Sequence, residues 1–355
     1  MRRPVLFLLL AMTTAVSAQA PPERQRGVSW VADGPVTAED LQPLLAHNVN
    51  WISQTPFGWQ RGLDAPEIFV ASSGRVLWGE SDEGLETTAR LARGLGIHTL
   101  LKPHLWITGP DHGKWSGDIR MKTPADWAVW FASYEEFILH YARLAERTGI
   151  EALSVGTELR GTLPGHDAEW RKVIAEVRKV YHGRLTYSAN WHGEYEEVPF
   201  WDLLDTIGVQ SYFPLTDTQK PAIGLLMTGW GTPTAAIERI QKRHGKPVVF
   251  TEMGYRSMPD AAIEPWKWPG EFSSPEPDFQ TQANCYEAFF RNFWDKRWFG
   301  GAYIWKWYPR PRKPGGRADI DFTPQNKPAE QVMGRWYRGE GRKEPSPIGP
   351  ATGSP

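Results

Sequence analysis

"PVVFTEMGYRS" (residues 247–257) opens as a buried strand and then sets Glu252 directly behind an apolar run. A carboxylate placed after Val248, Val249 and Phe250 must find solvent or a partner. The run is one of eight. The others are "GVSWVA" (27–32), "VNWISQT" (49–55), "HTLLKPHLWI" (98–107), "EALSVGTEL" (151–159), "RLTYSANW" (184–191), "TIGVQSYF" (206–213) and "GGAYIWKW" (300–307). Helical patterns fill most intervals, near 37–46, 83–94, 124–147, 168–181, 233–243, 279–296 and 325–338. Short β-type runs alternating with helices indicate a parallel sheet with crossover helices. Eight such units between residues 26 and 338 predict an α/β fold, a single (β/α)8 barrel. Between the fifth and sixth runs only "EVPFWDLLD" is available, so any helix there is short. A doubly wound open sheet, the competing plan, would call for a Gly-rich phosphate turn, and neither GxGxxG nor GxxxxGKS/T occurs.

Two helices carry clear end and face signals. In "SDEGLETTARLARGLG", Ser81 and Asp82 start the helix, acidic residues fill its first turn, and Gly94 and Gly96 lie where it should stop. In "QANCYEAFFRNFWDKRW", Tyr286, Phe289, Phe290, Phe293 and Trp294 recur at helical spacing as one apolar face, which reads as core.

Residues 1–20 pair Arg2 and Arg3 with an apolar run and a small-residue exit, the pattern of a cleavable signal peptide ending near Ala18 or Ala20. The expected product is secreted or periplasmic, free of the membrane after cleavage. Cys285 is the only cysteine, so the fold rests on its core rather than on disulfides. The Pro/Gly/Ser-rich stretch 339–355 reads as a disordered tail. A net charge of −1 without a basic run argues against nucleic acid as partner. The 19 tryptophans, many at strand-to-loop junctions, offer flat faces suited to sugar rings.

In a barrel every second side chain of a strand points inward, and the last one sits at the mouth. Glu158, ending the fourth run, and Glu252, ending the seventh, would then face each other there. Other inward candidates cluster at the same end: Lys102, His104 and Trp106; Ser188 and Asn190; Gln210 and Tyr212; Tyr303, Trp305 and Trp307. A polar ring inside a barrel needs a hydrogen-bond network or a ligand. A pair of carboxylates about 5 to 5.5 Å apart is what retaining glycoside hydrolysis uses. The nine histidines form no HExxH or HxH pattern, and there is no GxSxG elbow, so zinc and Ser–His–Asp chemistry have little support. No metal or cofactor is expected.

"VGTEL" with Glu158, "VVFTEMGYRS" with Glu252 and "GGAYIWKWYP" together resemble the clan-A glycoside hydrolases, and most of all glycoside hydrolase family 113, which includes endo-β-1,4-mannanases. The resemblance implies that Glu158 is the acid/base and Glu252 the nucleophile. It also implies that Tyr212 steadies the nucleophile and that Trp305 or Trp307 forms the platform under the sugar. Many clan members carry Asn directly before the acid/base, where it binds the sugar 2-hydroxyl. Thr157 stands there in this chain, leaving Asn190 or His104 to take that contact. The stacking pool is Trp30, Trp59, Trp106, Trp191, Trp305 and Trp307. The expected partner is a β-linked carbohydrate, with mannan first, and the chain is expected to act as a monomer. A β-glucanase of the same clan and a glycan-binding barrel without turnover are the alternatives.

Overall fold

The computed structural model describes residues 23–70, 76–112, 114–268, 276–310 and 318–341. The expected signal peptide and most of the expected tail lie outside them. Eight parallel strands close into a barrel: β1 (Gln25–Trp30), β2 (Trp51–Gln54), β5 (His98–Leu101), β7 (Ala152–Thr157), β8 (Arg184–Asn190), β9 (Ile207–Gln210), β10 (Val248–Met253) and β11 (Phe299–Trp307). Closure comes from β1, which pairs with β2 on one side and with β11 on the other. The helices are α1 (Ala38–Ala46), α2 (Asp82–Gly94), α3 (Pro124–Thr148), α4 (Asp167–Val180), α5 (Ile223–Gly229), α6 (Gly231–His244), α7 (Phe279–Phe293) and α8 (Pro328–Tyr337). The predicted fold is therefore the one observed. Between β8 and β9 there is only a single short turn, Trp201–Leu203, as the sequence there allows.

Local signals set the helix limits. The Ser81 side chain accepts from the Gly84 amide at the start of α2, and Thr123 and Asp126 close a reciprocal capping box on α3, which has proline in its first turn. Gly149, in the left-handed region at φ 72°, ends α3. Tyr286, Phe289, Phe290 and Phe293 of α7 are fully buried between helix and sheet, as the periodicity requires. Cys285 is buried and free.

One expectation fails in detail. The run 98–107 is two strands, because Pro103 has no amide proton to continue the ladder. Pro56 interrupts the neighbouring strand opposite it. Beyond these prolines the pair leaves the barrel wall as β3 (Phe57–Gln60) and β6 (His104–Ile107), which run parallel and are joined by antiparallel β4 (Ile68–Val70) in a small sheet above the rim. Neither β3 nor β4 was among the eight runs.

Inside the barrel, polarity rises toward the C-terminal rim. The floor is apolar: Trp51, Leu100, Ala152, Val249 and Tyr303 form one buried cluster. Above it sit hydroxyls in pairs, Ser29 with Ser53 (3.3 Å) and Ser154 with Ser188 (2.9 Å). The rim carries Lys102, Glu252 and Glu158. These hydroxyls and the Lys102–Glu252 pair satisfy one another, which offsets much of the cost of burying them. No helix among the described residues is long and apolar enough to cross a membrane.

Candidate active site

Strict alternation does not deliver Glu252; a bulge does. Val249 belongs to the barrel interior, so an unbroken β10 would turn Thr251 inward and Glu252 outward. Between Phe250 and Glu252 the register against β9 slips: Phe250 pairs with Val209 and Glu252 with Gln210, two residues set against one. The slip brings Glu252 into the mouth as well. In β7, Ser154 pairs with Thr186 but Thr157 with Ser188, again one residue in excess. Glu158 follows with φ 52°, a left-handed conformation that costs a side-chain-bearing residue roughly 1 kcal/mol or more. Its amide donates to the Ser188 carbonyl (2.9 Å), and the next amide, Leu159, donates to the Tyr187 hydroxyl (3.0 Å).

The two carboxyls sit in opposite settings. Glu252 is 5% exposed and ion-paired with the fully buried Lys102 ammonium. Its other oxygen accepts from the Tyr212 hydroxyl (2.8 Å). Burial works to raise this carboxyl, but the Lys102 charge, with help from His104 and from the Lys102 and Tyr212 hydrogen bonds, holds it below the ordinary carboxylate range. Glu158 has no such cation at contact. Its oxygens accept from Asn190 Nδ2 (2.6 Å) and Trp115 Nε1 (3.2 Å). Burial and the Glu252 charge push it up to about 7, against the pull of those two hydrogen bonds. One group is thus ionised and the other protonated in mildly acidic solution. That separation is the mark of an acid and a base sharing a site.

They share one rim. Asn190 ends β8, pairs in register with Gln210 of β9, and Gln210 pairs with Glu252 of β10. Glu158 is thereby linked to Glu252 through three strand spacings, about 14 Å along the wall, with both side chains turned into the lumen.

The remaining candidates divide into three groups. Lys102 and Gln210 are buried supports: Gln210 Oε1 accepts from Thr251 Oγ1 (3.1 Å) and Lys102 Nζ (3.4 Å), fixing the ammonium beneath Glu252. Around the opening lie His104, Asn190, Trp191, Tyr212 and Trp305. Trp305 is half-buried, with Lys102 Nζ 5.8 Å from its ring centre. On the small sheet, Trp59 and Trp106 are register partners, and Trp106 is 39% exposed. His104, on the same strand, brings Nε2 to 3.8 Å from Glu252. Burial and Lys102 lower its pKa to about 3, so the ring is neutral, and Nε2 has no hydrogen-bond partner.

Trp30 and Trp307 require correction as substrate contacts. Trp30 is 4% and Trp307 2% exposed, and both belong to the core between barrel and helices, where Trp307 packs edge-on against His47 (5.6 Å). Trp30 simply shares the outward face of Val28, and for Trp307 the reason is again a register slip. Val28 pairs with Ile304 but Trp30 with Trp307, so β11 carries an extra residue and Trp307 leaves the face that Tyr303 and Trp305 share. The 2-hydroxyl candidates also separate. Thr157 is buried and donates to the Pro103 carbonyl (3.0 Å). Asn190 donates to Glu158 and accepts from the His192 amide (2.8 Å).

Several rim residues escaped the strand pattern because loops carry them. Trp115, the second donor to Glu158, lies between β6 and α3. Trp266 (41% exposed) stacks on Trp191 at 5.1 Å, and Trp268 (49% exposed) packs against Phe322. Lys306 Nζ lies 5.1 Å from the Trp268 ring and 6.0 Å from that of Trp305. The only available signal was tryptophan inside Gly/Pro-rich loops, "GKWSG" and "EPWKWPG". Among the described residues no three His, Cys, Asp or Glu side chains are grouped to hold a metal ion.

No curated protein matches the sequence. Among solved structures, the chain is similar to the β-mannanase AaManA from Alicyclobacillus acidocaldarius in complex with ManMIm, at 30% identity and a TM-score of 0.76, covering 90% of this chain and 98% of that one. It is also similar to a complex of a GH113 β-1,4-mannanase, at 27% identity and a TM-score of 0.75, covering 89% of this chain and 99% of that one. A β-glucuronidase from Ruminococcus gnavus, at 15% identity and a TM-score of 0.56, covers 89% of this chain and 50% of that one and shares the fold alone. A family model, Glycoside Hydrolase Family 113, matches residues 29–327. With this match, most of the barrel and both strand-end glutamates lie within one known group: the chain belongs to glycoside hydrolase family 113.

Proposed function

We propose that this glycoside hydrolase cleaves β-1,4-linked mannan with retention of configuration, by double displacement. The observation that carries the reading is the split between two glutamates at one rim, Glu252 held ionised by Lys102 and Tyr212 and Glu158 pushed up to about 7. In the first step a Glu252 oxygen bonds to the anomeric carbon. The bond to the leaving oxygen breaks as Glu158 gives that oxygen its proton. In the second step Glu158, now ionised, takes a proton from water. The water oxygen displaces Glu252 and restores the original anomeric configuration.

Mannan is favoured because the similar solved structures at 27–30% identity are described as β-mannanases. His104 Nε2, neutral and without a partner beside Glu252, is assigned the 2-hydroxyl contact, since the Thr157 hydroxyl is committed to Pro103. Trp305 supplies the platform beneath the reacting sugar, and Trp59 with Trp106 extends the aromatic surface along the small sheet. We further propose that residues 1–20 direct export and are removed, that the barrel domain spans 26–338, and that the product acts as a secreted or periplasmic monomer.

The test is reducing-sugar release from mannan, β-glucan and xylan by the wild type and by Glu252→Gln. Release from mannan that is lost in the variant is expected. Equal activity of both proteins removes Glu252 from the nucleophile role. Binding without release from any substrate favours a non-catalytic barrel, and preference for glucan overturns the mannan assignment.

A further inference from the structure

Glu194 stands behind the acid/base glutamate, and the mechanism above does not use it. Its side chain is fully buried (0% exposed) on the loop that follows β8. One oxygen accepts from the Tyr187 hydroxyl (2.5 Å) and the other from the Asn190 amide (2.6 Å). Both partners lead to Glu158. The Tyr187 oxygen accepts from the Leu159 amide, the peptide group just after the left-handed Glu158. The Asn190 side chain donates to the Glu158 carboxyl.

We infer that Glu194 is a positioning residue for Glu158, fixing from one buried carboxyl both the backbone turn that aims it and the amide that grips it. The inference rests on the acid/base role assigned to Glu158. Charged or titratable groups face Glu194 from β8 (Tyr187) and from the end of β7 and the turn after it (Glu158, Arg160). Burial pushes Glu194 up to about 8, against the hydrogen bonds it accepts. Buried carboxyls are rare unless they hold something in place. Here the thing held is a residue in a backbone conformation that it would otherwise leave.

Glu194→Leu keeps the bulk but removes both acceptors, so the Tyr187 hydroxyl and the Asn190 N–H lose their common partner. Both links are lost. On mannotetraose, whose departing sugar needs a proton, kcat/KM is expected to fall about tenfold or more, a fraction of what general acid catalysis supplies. On a dinitrophenyl β-mannoside, whose leaving group needs none, kcat/KM should stay within about twofold. The basic limb of the pH profile should move upward, because the Asn190 hydrogen bond is one of the contacts holding Glu158 down. Tyr187→Phe, which cuts the link to the Leu159 amide, should show the same leaving-group dependence and carries the test if the first variant does not fold.

Equal losses on both substrates in the folded variant tested, or an unmoved basic limb in Glu194→Leu, overturn the inference. Glu158→Gln run alongside separates the two claims. If it shows no leaving-group dependence, the acid/base reading has failed and the inference falls with it. If it does while Glu194→Leu does not, only the inference has failed.

Discussion

Replacing Lys102 by Met probes the electrostatics of the proposed nucleophile, Glu252, directly. The side chain is fully buried against Glu252, and Met preserves much of its length without the charge. At an ordinary contact of about 3 Å and an effective dielectric of about 20, the pair interacts by about 5 kcal/mol. That corresponds to about 4 pKa units. The Tyr212 hydrogen bond remains and water enters part of the space, so a rise of at least about 2 units is the expectation for Glu252. The sign follows from the role: the nucleophile must be ionised, so activity appears as pH rises through the Glu252 pKa. Its upward shift moves the acid limb of kcat/KM toward the basic limb set by Glu158 near 7, and the working window narrows or closes. Activity near pH 5 should fall roughly tenfold or more. The assay is kcat/KM on mannotetraose from about pH 4 to about pH 9, with circular dichroism showing that the variant is folded. A folded variant with an unmoved acid limb would refute the assignment of Lys102 as the counter-charge.

Glu158 should make the protein less stable as the solution becomes more alkaline. Its folded pKa, about 7, is raised above the ordinary 4.5, so its contribution is complete below about pH 4.5 and lost as pH rises through about 7. Allowing for solvent at the mouth, the loss is roughly 2 kcal/mol. Glu158→Gln should therefore gain stability over the wild type at pH 8 but not at pH 4; a Tm difference that does not change with pH contradicts this. Trp307→Ala should cost about 3 to 5 kcal/mol of stability as a core truncation and leave KM unchanged in the folded fraction. Trp305→Ala should raise KM about tenfold with little loss of Tm, a platform effect of about 1.4 kcal/mol. Thermal melts and steady-state kinetics on the same preparations would expose the reverse pattern.

The barrel was legible because its eight strands are short buried runs separated by helices with clear ends, as at Ser81 in α2 and Thr123 in α3. Glu158 and Glu252 were legible as carboxylates that end such runs. How Glu252 reaches the lumen was not, because a bulge depends on pairing with the neighbouring strand, and no run contains that information alone. The same limit misplaced Trp307, which an unbroken alternation puts beside Trp305 and a one-residue slip against β1 sends into the core. Pro103 was visible inside a strand-like run, yet its consequence needed Pro56 opposite it to become a second sheet. Trp115, Trp266 and Trp268 were hidden for a different reason: loops have no period, and long-range packing alone decides which tryptophan turns toward the rim.

The assignment of Glu252 as nucleophile is tested most directly by trapping the intermediate. A 2-deoxy-2-fluoro-β-mannosyl fluoride slows both steps but keeps its good leaving group, so a glycosyl-enzyme should accumulate. Peptide mapping by mass spectrometry is predicted to find one sugar on the segment carrying Glu252. A label on any other side chain, or turnover to the inverted product with no adduct, would contradict the account.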